Sequence, residues 1–185
     1  MSLPTLATSA GERVKGRSLG FAVALVVFAL DQFAKWMVTG PLGIRELGDQ
    51  LVLLPIFNFT FTRNEGISLG LLNATNPLGR WMLVGLTTAI AVGVAIWIGR
   101  ERNRIDQAAL GMVLGGALGN IIDRVRFGYV VDFADLHFGD FRPFLVFNVG
   151  DAAISIAVVI LLLRAFLSRK DHHEGPSPKE TIEHA

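Results

Sequence analysis

Asp132 and Asp151 are the residues of this chain best suited to do chemistry. They are separated by a loop and a helix start, so the two carboxyl groups can meet within a few ångströms. Two acids sharing one site cannot both ionise; one pKa rises and the other falls. Such a pair can take a proton from water and give one to a departing amide nitrogen, which is peptide hydrolysis by an aspartic dyad. The plainer alternative makes each Asp a helix cap or half of an ion pair. Asp123 beside Arg124 reads as a structural pair of that kind. Asp151, set inside an apolar stretch with no basic neighbour in sequence, does not, and from pattern alone Asp132 stays open between the two readings. Asp31 and Lys35 are an i,i+4 pair in the favourable order. With Lys35 free to snorkel outward, that pair is read as structural or as a contact to a polar lipid headgroup.

Other chemistries find less support. Gly66-Ile67-Ser68-Leu69-Gly70 matches the G-x-S-x-G nucleophile elbow. That motif works only on a strand-turn-helix of an α/β-hydrolase sheet, for which 185 residues with four spans leave no room. His137 is also the only His outside the C-terminal tail, so a serine nucleophile lacks an obvious base. There is no H-E-x-x-H for zinc. With no Cys there is no thiol nucleophile, disulfide or Cys-ligated metal. A net charge of +1 gives no footprint for nucleic acid. The three His of the polar tail read as solvated residues and not as a metal site.

The elements that must position these carboxylates are membrane spans. Apolar residues make up 51% of the chain and charged residues only 18%, against roughly 25% charged in soluble domains. Residues 81–99 contain no charge at all, and a helix needs about 20 such residues to cross a ~30 Å hydrocarbon core. Four spans follow, at about 19–38, 81–99, 105–124 and 145–167, with outer loops at 39–80 and 125–144. Basic residues before Leu19–Leu30 also describe a signal peptide, but no small-x-small cleavage site follows, so the segment is read as a retained span. Phe57, Phe59 and Phe61 alternate with polar residues as in a half-buried strand, and with Leu51–Leu54 they suggest a hairpin resting on the membrane surface. Gly111, Gly115 and Gly119 form a ridge for close helix packing.

Depth then links the polar residues. Asp31 lies about 10 Å below the outer end of its span, and Asn148 and Asp151 at most about 9 Å below theirs. Asn120 and Asp123 close the third span, and Asp132 sits in the loop just beyond it. One layer therefore collects carboxylates and amides, which a scatter of buried polar groups would not do. A proton-coupled carrier using Asp31, Asp123 and Asp151 as a relay is the rival reading. It needs polar residues through the inner leaflet, yet residues 156–163 are wholly apolar. Val149-Gly150-Asp151 partly matches the G-x-G-D of other intramembrane aspartic proteases, but Asn148 stands in place of the first Gly. A non-catalytic scaffold would not need Asp151 buried.

Five motifs in order resemble the bacterial lipoprotein signal peptidases, the signal peptidase II family. They are Asp31-Gln32-x-x-Lys35, Asn64-x-Gly66, Gly115-Gly116-Ala117-Leu118-Gly119-Asn120-x-x-Asp123-Arg124, Val130-Val131-Asp132-Phe133 and Phe147-Asn148-x-x-Asp151-x-x-Ile154. The resemblance implies an all-α polytopic membrane protein, four transmembrane helices with a small extracytoplasmic β-cradle. It implies an aspartic endopeptidase that cleaves prolipoproteins on the N-terminal side of a diacylglyceryl-modified cysteine, without metal or cofactor. Asp132 and Asp151 match the catalytic pair; Asp31, Lys35, Asn64, Gly66, Asn120, Asp123, Arg124 and Asn148 match supporting or substrate-binding positions. The expected organisation is a cytoplasmic segment (1–18), one membrane peptidase domain (19–168) and a polar, disordered cytoplasmic tail (169–185). The expected partners are prolipoproteins and membrane lipid, for a monomer of the bacterial cytoplasmic (inner) membrane.

Orientation is read from Lys and Arg. The N-terminal segment, the 100–104 loop and the C-terminal segment hold ten, in about 45 positions; the two longer loops hold five, in about 62. Both termini are thus expected in the cytoplasm and the carboxylate layer at the outer leaflet. Single cysteines in this Cys-free chain test it. A Cys at Gly139 should react with a membrane-impermeant thiol reagent outside intact cells, and a Cys at Asn103 only after permeabilisation. Labelling of the Asn103 site from outside would invert the topology.

Overall fold

Apolar length decides the helices, and polar punctuation decides their ends. A computed structural model describes residues 9–66 and 77–171, with side chains for 18–66 and 77–167. The chain runs α1 (Ser9–Thr39), β1 (Gln50–Leu54), β2 (Phe57–Asn64), α2 (Pro77–Arg100), α3 (Arg104–Phe127), β3 (Val130–Leu136) and α4 (Val149–Asp171). All four helices contain a stretch long and apolar enough to cross a membrane. The first continues back to Ser9, into the segment expected to precede it. Ser68 of the elbow motif and the polar tail beyond residue 171 lie outside the described residues.

The helix α3 is the hub, packing against α1, α2 and α4. A Cβ on Gly111 or Gly115 would collide with the carbonyl oxygen of Gly20 or Ala24 on α1, so these two helices touch backbone to backbone. Gly116 meets Gly150 at the start of α4 in the same way. Around this contact Ala24, Ala91, Ile98, Leu110 and Leu114 form a buried cluster. Asn103 caps α3 by accepting from the backbone N–H groups of Ile105 and Asp106. At the other end Gly128, with φ 89°, donates to Arg124 O and reverses the chain. The reversal is so tight that β3 begins two residues later.

The three strands form one antiparallel sheet in the order β1-β2-β3. The hairpin of β1 and β2 is the one expected from the Phe alternation. The strand β3 was not: residues 130–136 were read as plain loop, and Asp132 therefore stands on a strand. Pairing runs Phe59↔Ala134 and then Thr62↔Asp132, so β2 carries one extra residue there, a bulge. The strict alternation of β2 ends with it: Phe57 and Phe59 are half-buried, Asn58 and Phe61 buried. Phe61, Val131 and Phe133 pack with Val38 and Ile44 into a second core that fastens the sheet to the C-terminal end of α1.

The fourth helix starts at Val149, not at residue 145 as expected. Phe147 instead pairs with Ala134 as an isolated bridge, each residue's N–H donating to the other's carbonyl, at 3.1 and 2.8 Å. That pairing holds the preceding residues extended and leaves Asn148 as the helix cap. Asp151 is thus in the first turn of α4, not two turns inside a span. The structure also refines the topology probes: Gly139 has φ +62° and Asn103 is a cap, so Asp140 and Arg102, both exposed neighbours, are gentler cysteine sites.

Gly119 gives the sharpest packing test, because a Cβ there would strike the Asp31 carboxylate. Gly119→Ala should cost about 1–3 kcal/mol and lower the thermal midpoint in detergent. Gly93→Ala, whose Cβ meets nothing within 4 Å, should leave the midpoint unchanged or slightly raised. Equal midpoints for the two variants would refute the close approach.

Candidate active site

Lys35 does not snorkel. Its side chain is 5% exposed, and its ammonium lies 2.8 Å from Asp31 Oδ2 and 2.7 Å from Asp123 Oδ2. The third ammonium proton goes to Asn120 Oδ1 at 3.1 Å. Three donors meet three acceptors, the condition under which a buried cation is tolerated. Asp123 therefore pairs with Lys35 and not with Arg124, its neighbour in sequence. Adjacent helical residues point in different directions, while α1 and α3 approach closely enough to put Lys35 against Asp123. The notch at Gly119 makes room for Asp31.

The remaining lone pairs of these two acids are also used. Asp31 Oδ1 accepts the backbone N–H of Gly150 at 2.9 Å, which ties α1 to the start of α4. Asp123 Oδ2 accepts the Val131 N–H at 3.2 Å, which ties α3 to β3. Gln32 Nε2 reaches Asp31 Oδ2, Asp123 Oδ1 and Gly119 O at 3.2–3.4 Å. Gln32 stands in the first motif but was assigned no role from sequence; its amide donates toward α3.

Lys35 sets the orientation of what lies above it. An ammonium can only donate, so Asn120 must present Oδ1 to it, and its Nδ2 is then left to donate to Asp151 Oδ1 at 2.8 Å. Asn148 Nδ2 donates to Asn120 Oδ1 at 3.2 Å and to Asp132 Oδ1 at 2.6 Å. Its Oδ1 accepts the Asp151 N–H at 2.9 Å, and its own N–H donates to Asp151 Oδ2 at 3.3 Å. That reciprocal pair is a capping box, with Asp at the third position. Asp151 is thus part of a helix cap, and the same fully buried Asn148 that makes the cap also hydrogen-bonds Asp132.

The other expected residues surround this pair. Asn64 closes β2 opposite Val130 and hydrogen-bonds the Asp132 carboxyl. Its Oδ1 also accepts the Gly66 N–H at 3.1 Å. Gly66 has φ 104°, a conformation reserved for glycine, so it shapes the turn without touching the pair. Arg124 carries a buried Nε with no hydrogen-bond partner among the described residues, and its charge is felt by Asp151, Asp132 and Asp123. Asp135 is a further buried acid on β3; it pairs with Arg142 at 3.2 Å and accepts from Thr60, so it fastens the sheet. Among the described residues no cluster of His, Asp and Glu is arranged to hold a metal ion.

Electrostatics separate the two acids. Burial raises the Asp132 pKa from 3.8 to about 7, and the Asp151 charge adds to the rise. Hydrogen bonds from Asn64 and Asn148 and the charge of Lys35 pull it back. Asp151 is half-buried and borders a cavity of about 270 Å³, walled mainly by Phe144, Leu145, Phe147, Ala152 and Ile156.

Fold and site together define a polytopic membrane protein with a carboxylate pair where its helices meet a small sheet. The sequence profile of the family described as signal peptidase (SPase) II matches residues 23–167, and the chain belongs to that family. It is a peptidase, and the carrier reading is not favoured. The chain is 51% identical over 167 residues to the lipoprotein signal peptidase of Rhizorhabdus wittichii, spanning 90% of this chain and 94% of the relative. It is 53% identical over 148 residues to that of Sphingopyxis alaskensis, spanning 80% and 85%. A solved bacterial membrane enzyme, determined by the in meso method, superposes with a TM-score of 0.73 at 26% identity, over 86% of this chain and 94% of its own.

The raised Asp132 pKa makes two pH statements. The folded protein holds this proton more tightly than the unfolded chain, so the Asp132 contribution to stability declines as pH rises from 3.8 to about 7. Asp132→Asn should flatten that part of the stability-pH curve. Peptide cleavage should fall through pH about 7 as Asp132 ionises. In Asn64→Ala, which loses a hydrogen bond to the charged form, the alkaline limb should move to higher pH. A limb that stays in place or moves lower would contradict the assignment.

Proposed function

We propose that this chain removes signal peptides from prolipoproteins as an aspartic endopeptidase, with Asp132 and Asp151 sharing the proton work. The observation that carries this reading is Asn148, which grips Asp132 through its side chain and Asp151 through its cap. Asp151 is the base: it takes a proton from a water held between the two acids as the water oxygen attacks the scissile carbonyl carbon. Asp132, the acid, donates its proton to the carbonyl oxygen. As the tetrahedral diol collapses the C–N bond breaks, the proton held by Asp151 passes to the leaving nitrogen, and one diol hydroxyl returns its proton to Asp132 as the new carboxyl group forms. The Arg124 guanidinium stands where negative charge gathers. Asp31, Lys35, Asn120, Asp123 and Asn148 orient the pair; Asn64 and Gly66 fix the turn beside it.

The substrate class follows from the relatives named as lipoprotein signal peptidases and from the place of the site. The scissile bond lies N-terminal to a diacylglyceryl-modified cysteine, at the end of an apolar helix. An apolar cavity opening beside Asp151 suits such a substrate, and the exposed apolar residues of β1 suit a sheet resting on lipid. The reading places a monomer in the bacterial cytoplasmic membrane, both termini inside and the site at the outer leaflet, where water reaches it.

The test is signal-peptide release from a diacylglyceryl-modified prolipoprotein by the purified protein. Asp132→Asn and Asp151→Asn should each lower release by at least about 10³-fold while the protein still inserts. Because the two act as a unit, the double variant should be no worse than either. Ser68→Ala should retain most activity and resist no more than wild type any serine-directed acylating reagent. Substantial turnover in either Asp variant, or a covalent adduct on Ser68, overturns the aspartic mechanism.

A further inference from the structure

A second cavity, of about 220 Å³, opens among the outer ends of α1 and α3 and the strand β2. It shares no wall residue with the cavity at Asp151. Val131 lines it, whereas the next residue, Asp132, turns to the catalytic pair, as alternation along a strand requires. Gln32, Lys35 and Asp123 of the polar network also line this cavity, so it borders the groups that orient the pair, but neither Asp132 nor Asp151 lines it.

Its chemistry is that of an anion site at a membrane interface. Arg45 and Arg126 stand in its wall. Arg63 lies over the rings of Phe61 and Tyr129, both wall residues, at 5.9 and 5.0 Å. Among the described residues none of these three guanidinium groups forms an ion pair with an acid. Asp123, the acid in the wall, is engaged by Lys35, Gln32 and the Val131 N–H. Asp49 accepts the backbone N–H groups of Arg45 and Glu46. Trp36 and Phe127 also line the cavity and face outward, 57% and 46% exposed, as aromatic residues do at headgroup level. A guanidinium fork matches phosphoryl oxygens, and aromatic walls beside it match glycerol and the first methylenes of an acyl chain.

We propose that this cavity binds the phosphate of an anionic phospholipid headgroup in the leaflet that holds the active site. Arg45 and Arg126 grip the phosphoryl oxygens and the acyl chains run down the lipid-facing side of Trp36. The lipid so bound fastens the β2 end of the sheet to the membrane, away from the cavity at Asp151.

The test uses the full chain purified in detergent and native mass spectrometry with phosphatidylglycerol or phosphatidylcholine. Wild type should retain phosphatidylglycerol in preference. Arg45→Ala with Arg126→Ala should weaken that retention about 25-fold, about fivefold per guanidinium. Arg45→Lys with Arg126→Lys, which keeps the charge and loses the fork, should retain the lipid better than the Ala pair and less well than wild type. Millimolar inorganic phosphate should not displace the lipid. Quenching of Trp36 by chain-brominated lipid, in a Trp81→Phe, Trp97→Phe background, should saturate at a lower mole fraction for phosphatidylglycerol than for phosphatidylcholine, and this decides the matter should the Ala pair not fold. Undiminished retention in a folded Ala pair, no preference between the two lipids, or displacement by inorganic phosphate (a free-anion site) each overturns the proposal.

Discussion

A lysine ammonium enclosed among helices is costly unless every proton finds an acceptor and its charge is met. Lys35 meets both demands with Asp31 from its own helix and with Asp123 and Asn120 from α3. Two carboxylates around one cation leave an excess negative charge, and the protein spreads it over neutral donors: the Gly150 and Val131 N–H groups and the Gln32 amide. Those donors belong to α4, β3 and α1. The cation thus fixes, in one knot, the helix that carries Asp151 and the strand that carries Asp132. Removing one member would strand the others, so the polar cluster is a single unit and not a set of independent pairs.

Directionality passes upward from the same ion. Because Lys35 cannot accept, Asn120 has only one way to face, and Asp151 receives an N–H where a carbonyl would repel it. Asn148 repeats the logic sideways, giving its N–H to Asp132 and its oxygen to the helix start. Two carboxyl groups of the same kind end in different surroundings. Asp132, 2% exposed and facing a neighbouring negative charge, keeps its proton to about pH 7. Asp151 is half-buried and borders a cavity with mainly apolar walls. Such a difference between two acids in contact is what acid-base catalysis requires.

How much of this the sequence disclosed follows from the range of each interaction. The four spans were legible because they rest on apolar length alone, and the β1–β2 hairpin because Phe57, Phe59 and Phe61 keep period two. The strand β3 was hidden: Asp132 and Asp135 interrupt its apolar run three residues apart, a spacing that fits neither face of a strand. The start of α4 was hidden for a related reason. Residues 145–147 are as apolar as the helix after them, and only the bridge to Ala134, a contact distant in sequence, decides that they stay extended. The layer of polar residues was visible from depth. The partners within it were not, since Lys35 chooses Asp123 through the approach of α1 to α3 across their glycines. Adjacency to Arg124 was a misleading cue that helix geometry alone could have discounted.

The place of the site follows from the backbone. A strand cannot sit in hydrocarbon with an open edge, because each unpaired N–H and C=O there costs several kcal/mol. Asp132, being on β3, must therefore lie where the sheet meets water, and Asp151 can join it only from the first turn of a helix that begins at that level. The capping box starts α4 there, and the contact of Gly116 with Gly150 holds that start against α3. The same boundary supplies the water that peptide hydrolysis consumes, while the helices below supply the dry surroundings that raise the Asp132 pKa. A carboxylate pair split between a strand and a helix cap is thus confined to the interface.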